Sequence, residues 1–89
     1  MDTLPPPRLS FPCAYPIKVM VRAETGVRSH VDAIITRYAA PVDLSAVIER
    51  PSSEGRFLSL TYVIEARGEQ HIAELFAALK HCPQVVLVL

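Results

Sequence analysis

The sequence predicts an α+β sandwich, one four-stranded sheet with two helices packed on one face, and three observations point to it. Apolar residues alternate with period two in Ile17, Val19, Val21 and again in Leu58, Leu60, Tyr62, Ile64. They recur with helical period in Val27, Val31, Ile34, Ile35, Tyr38 and in Ile72, Leu75, Phe76, Leu79. Between these lies a turn signature, Pro51-Ser52-Ser53-Glu54-Gly55-Arg56, that joins two strand-like runs as an antiparallel hairpin.

Taken in order, residues 1–12 hold four of the eight prolines and no periodicity, and read as a flexible leader pinned at its end by Leu9 and Phe11. Residues 13–89 read as a single domain. Its first strand runs from Tyr15 to Arg22, with Pro16 at the start, where a missing N–H is tolerable. A helix of about four turns follows, with Thr25 as the predicted N-cap. Arg28 and Asp32 form an i,i+4 pair on its outer side, and Pro41 stops it. Val42 to Arg50 is predicted as the second strand, with Val42, Leu44, Ala46 and Ile48 on one face. After the turn, with Gly55 available for a positive φ, the third strand points Leu58, Leu60, Tyr62 and Ile64 one way and Phe57, Ser59, Thr61, Val63 and Glu65 the other. Gly68 breaks it, a second helix ends at Pro83, and Val85 to Leu89 forms a short apolar last strand.

The order β-α-β-β-α-β, with right-handed crossovers, puts both helices on one side of the sheet. This is the ferredoxin-like arrangement, most economically with strand order 4-1-3-2. One face is bare, and strands two and four are the edges.

Length and charge remove several function classes. At 89 residues there is room for one small core. A net charge of zero, from nine cationic and nine acidic side chains, lacks the basic footprint of a nucleic-acid binder. No apolar run reaches the ~20 residues that cross a bilayer. Cys13 and Cys82 sit far apart with no secretory signal, which reads as two free thiols in a reducing cytoplasm. Three enzymes or binders built on this fold fit poorly. An acylphosphatase needs an asparagine, and the chain has none; a copper chaperone needs CxxC; an RNA-recognition module needs aromatics on both central strands, where only Phe57 qualifies.

The candidate site is the bare face: Lys18, Met20, Phe57, Ser59 and Thr61, with Val63, on the two central strands. A lysine beside hydroxyls and an aromatic can receive an anionic ligand or a partner's backbone; the plain alternative is a solvated sheet face built from residues that strands favour. Ser52, Ser53 and Gly55 form a second candidate, since turn N–H groups can cradle an anion; the alternative is ordinary turn chemistry. His30, His71 and His81 read as surface histidines on helices, with no third ligand to make a zinc site of His71 and Glu74. A thiol activated by His81 at Cys82 is disfavoured, because a helix C-terminus is the negative end. The last strand carries no charge and no proline, so it invites strand addition from a second copy or another protein; the plain alternative is a short final strand covered by residues of the proline-rich leader.

With these residues laid out, the chain resembles the YbeD-like family of small bacterial proteins of unknown function. Phe11-Pro12, Lys18-Val19-Met20, the block Pro51 to Phe57 with Ser59, and Val85 to Leu89 carry the resemblance, which spans about residues 11–89. Val21 departs from it, at a position where the family is expected to carry glycine. The resemblance implies a cytosolic ferredoxin-like domain similar in shape to the ACT-type domains that bind small metabolites, with genes that often neighbour lipoate-attachment genes.

The expectation is a cytoplasmic, non-enzymatic module, regulatory or protein-binding through the bare face or an edge strand, with no cofactor, metal, nucleic acid or membrane. The alternative is an ACT-like small-molecule sensor, linked to lipoate metabolism, that holds its ligand at a homodimer interface.

Overall fold

A computed structural model describes residues 10–89, so the expectations placed on residues 1–9, Leu9 included, lie outside the described residues. The strands are β1 (Cys13–Arg22), β2 (Ile48–Pro51), β3 (Phe57–Ala66) and β4 (Val85–Val88); the helices are α1 (Val27–Ala39) and α2 (Glu69–Lys80). The sheet order is β2-β3-β1-β4, the predicted 4-1-3-2 read from the other end, and all three pairings are antiparallel.

The period-two signal translates directly into sides. Ile17, Val19 and Val21 of β1 and Leu60, Tyr62 and Ile64 of β3 are buried against Val31 and Ile35 of α1 and Leu75 and Leu79 of α2. Both helices therefore cover the same face. Val21, where the family was expected to favour glycine, is fully buried beneath them opposite Val85, so its bulk fills the core and not the open side.

Pro16 lies within β1, and the ladder explains why it is tolerated. Lys18 and Leu89 exchange both backbone hydrogen bonds, at 3.0 and 2.8 Å. In an antiparallel ladder every second residue faces the same neighbour, so the N–H that Pro16 lacks would point where β4 has already ended.

Two expectations are corrected. The second strand does not span Val42–Arg50: Leu44–Ala46 is a 3₁₀ turn and only Ile48–Pro51 pairs with β3. Asp43 is the cause. Its carboxylate accepts from the Ser45 N–H at 3.0 Å and from the Ser45 hydroxyl at 2.5 Å, a local bond that competes with extended pairing. Those bonds hold the Asp43 carboxyl below its usual range. Thr25 is not the cap of α1 either. Gly26 occupies that position at φ 78° and ψ 0°, with no side-chain cap, because the chain enters the helix from a left-handed turn that glycine adopts without strain.

Candidate functional site

The register of the four strands assembles the open face in rows. One row reads Ile48, Thr61, Lys18, with Leu89 bonded to Lys18; the next reads Arg50, Ser59, Met20, Leu87. Phe57 and Arg22 face each other beyond the second row, and Val63 and Pro16 beyond the first. Directly opposed residues share a face, so Lys18, Met20, Phe57, Ser59 and Thr61 are together in the open, as the alternation predicts.

What the alternation does not convey is how apolar this surface is. Ile48 is 52% exposed, Val63 60%, Leu87 47% and Leu89 65%. Single exposed aliphatics are ordinary, but Leu87 and Leu89 flank Met20 on one side of Lys18 and Thr61 while Ile48 and Val63 stand on the other, and several exposed apolar side chains on one face mark an interaction surface. Lys18, Arg22 and Arg50 stand among them, all exposed and with no carboxylate within ion-pair distance among the described residues.

Beside the hairpin turn the face dips into a hollow of about 110 Å³. Met20, Ser52, Phe57 and Ser59 line it together with Arg50 and Pro51. It brings together four of the sequence-predicted residues from both candidate groups. Lys18 and Thr61 stand in the neighbouring row, while Ser53 and Gly55 are exposed at the tip of the turn. The turn itself consumes much of its own bonding capacity. Ser52 donates its N–H to the Phe57 carbonyl at 2.8 Å, its hydroxyl accepts from the Phe57 N–H at 3.1 Å, and Gly55, at φ 75°, donates to the Ser52 carbonyl at 2.9 Å. These bonds are those of a closed hairpin, which is why Gly55 is needed there.

The two sheet edges differ in kind. Because Ser52 and Phe57 are a bonded pair, alternation turns the backbone groups of Glu49 and Pro51 of β2 to the free edge, where one residue carries a charged side chain and the other has no N–H. On β4 the same reasoning turns the backbone N–H and C=O of Val88 to the free edge while its side chain stays in the core, with no charge or proline along Val85–Val88. Among the described residues the first edge is guarded and the second is not.

A second cluster was legible only in part: the predicted Arg28–Asp32 pair forms, but it meets the buried Tyr62 instead of lying wholly on the outer side of α1. The buried Tyr62 hydroxyl donates to an Asp32 carboxylate oxygen at 2.5 Å, and Arg28 Nε donates to both oxygens of that carboxylate at 2.9 and 3.0 Å. Arg28 also reaches Glu49 of β2 at 3.3 Å and the Leu44 carbonyl at 3.0 Å. One guanidinium thus ties α1, the 3₁₀ turn and β2 to the centre of β3. Burial, then the bond to Asp32, pushes the Tyr62 phenol well above its ordinary range; the Asp32 bond likewise raises Arg28. The signal that could have found it is the phenol: an inward-facing tyrosine needs a partner, and Asp32 is the acceptor α1 offers.

The reading of His71 as a surface residue is also corrected. It is half-buried, its Nδ1 accepts from the Arg67 N–H at 3.0 Å, and its Nε2 therefore carries the proton and donates to the Tyr38 carbonyl at 2.7 Å. Arg67 Nη2 donates to the Ala40 carbonyl at 2.6 Å. Together they satisfy carbonyls that the end of α1 leaves without helical partners. His30 and His81 are exposed. Both cysteines are free thiols, Cys82 buried with its thiol donating to Gln84 Oε1 at 3.1 Å. Among the described residues no three His, Cys, Asp or Glu side chains gather as a metal site requires, and no helix is long and apolar enough to cross a membrane.

Known proteins with which the chain compares agree with this architecture. The profile of the family described as "Protein of unknown function (DUF493)" matches residues 6–89. A UPF0250 protein of Hahella chejuensis is 37% identical over 83 residues, covering 93% of this chain and 91% of that protein. A UPF0250 protein of Pseudomonas aeruginosa is 38% identical over 85 residues, covering 94% and 91%. Among solved structures, a Helicobacter pylori protein superposes with a TM-score of 0.76 at 18% identity, covering 100% of this chain and 98% of its own. The ACT domain of a GTP pyrophosphokinase from Chlorobium tepidum gives 0.66 at 12% identity, covering 85% and 81%. The family resemblance carried by the turn block and the Lys18-Val19-Met20 strand is borne out, and so is the ferredoxin-like fold.

Proposed function

The chain belongs to the DUF493 family of proteins of unknown function, and on that premise we propose that it is a non-enzymatic cytoplasmic module that works by binding another protein. The bare face, with the unguarded β4 edge beside it, is the binding surface. One observation carries this reading: Ile48, Val63, Leu87 and Leu89 are all exposed on the one open face, apolar surface whose cover by a partner would be favourable. Two polar groups elsewhere are already engaged: Asp32 by Arg28 and Tyr62, His71 by two backbone groups. Pull-down from a bacterial lysate, comparing the parent chain with Lys18→Glu and Phe57→Ala, tests the reading. Loss of the same captured protein in both variants supports it, and retention of every captured protein by both overturns it.

A second reading, a small-molecule sensor of ACT type linked to lipoate metabolism, is favoured by the likeness to the Chlorobium ACT domain and by the hollow between Met20, Ser52 and Phe57. It predicts a homodimer and a melting temperature that rises with one metabolite as RT ln(1 + [L]/Kd). A monomer that responds to no metabolite contradicts it.

A further inference from the structure

We propose that the occupant of the bare face is an acidic segment of another protein, with apolar residues that seat over Met20, Ile48 and Leu87 and carboxylates that meet Lys18, Arg22 and Arg50. The inference rests on the protein-binding reading above and names the chemistry of the partner. Charge complementarity carries it. The chain has equal numbers of cationic and acidic side chains, yet they are not shared evenly between the faces of the sheet. Glu49 of β2 turns to the helix side, where it meets Arg28 at 3.3 Å. On the open side Lys18, Arg22 and Arg50 stand on neighbouring rows, and the one strand carboxylate there among the described residues, Glu65, lies at the far end of β3 opposite Ala14. Arg56, near the turn, has its own partner in Glu54 at 3.5 Å. Three cations left without partners among the described residues, interspersed with exposed apolar side chains, repel a copy of themselves and attract a strip of the opposite sign.

A nucleic acid fits the same cations less well. Stacking needs aromatic platforms, and among the described residues Phe57 is the one aromatic on this face; the aliphatic side chains of Ile48, Leu87 and Leu89 offer a base no comparable contact. A second copy would set cation against cation if it came face to face.

The test titrates the whole chain, isotope-labelled, and follows its backbone amides by NMR. Two synthetic peptides of equal leucine content are compared, one with interspersed glutamates and one with lysines, alongside an oligothymidine. The glutamate peptide is expected to shift amides of Met20, Arg50, Ser59 and Leu87, with an affinity about tenfold above that of the lysine peptide, as expected of three exposed ion pairs. Raising salt from about 50 to about 500 mM should erase most of that preference. The triple variant Lys18→Glu/Arg22→Glu/Arg50→Glu should reverse it and favour the lysine peptide. Equal shifts from both peptides overturn the acidic partner while leaving the face as a binding surface. Shifts from the oligothymidine alone, concentration-dependent shifts without any peptide, or no shift from either peptide also overturn it. In the last case the lysate capture still decides the protein-binding reading separately.

Discussion

The two sides of the same central strands obey different rules. Toward the helices, Val19 and Leu60 oppose one another and are sealed from water; one residue along, Lys18 and Thr61 oppose one another in the open. Backbone, register and twist are shared, so the contrast isolates the side chains. The covered side is where stability is made, because burying a large aliphatic contributes roughly 1.5–3 kcal/mol. The open side contributes little to folding, and its residues are set by what the surface meets.

The largest expected effect breaks the covered side. Leu60→Ala or Ile35→Ala should lower unfolding free energy by about 2–5 kcal/mol in chemical denaturation, a large share of a small domain's total. Thr61→Ala, the adjacent residue on the other side, should stay within about 0.5 kcal/mol. Similar losses at Leu60 and Thr61 would mean the two sides are not distinct.

A smaller effect tests the polar link beneath α1. Asp32→Ala leaves the buried Tyr62 hydroxyl and Arg28 without their common partner and should cost about 1–3 kcal/mol. Tyr62→Phe sharpens the same point through pH. The phenol is raised in the fold, so its contribution is whole below the unfolded value near 10 and is lost as pH climbs above it, by at most about 1.4 kcal/mol per pH unit. Denaturation followed from neutral pH to pH ~11 should show the parent chain falling more steeply than Tyr62→Phe. Parallel profiles would remove Tyr62 from the account. Smaller again is His71→Ala, which frees the Tyr38 carbonyl and the Arg67 N–H at the end of α1. A loss of about 0.5–1.5 kcal/mol is expected by the same denaturation measurement.

These sides were legible in the sequence because a period of two reports orientation residue by residue; Ile17, Val19 and Val21 needed no tertiary knowledge to be set inward. The helices were legible for the same reason at period 3.6. The stretch from Val42 to Val47 was not. Val42, Leu44 and Val47 are apolar and partly buried, which mimics a strand, while the bonds from Asp43 to Ser45 decide the local backbone. Membership of the open face was legible, but the hollow was not, since Pro51 and Ser52 reach Met20 only when the β3 hairpin lies beside β1. The Tyr62–Asp32 bond joins residues 30 positions apart. No spacing rule within one element can announce it.

The most direct measurement pairs two readouts on one variant, Lys18→Glu/Arg22→Glu/Arg50→Glu. All three residues are exposed and outside the core, so a melting temperature within about 4 °C of the parent chain is expected together with loss of the partner captured from a bacterial lysate. An unchanged melting temperature with undiminished capture would contradict binding through the open face.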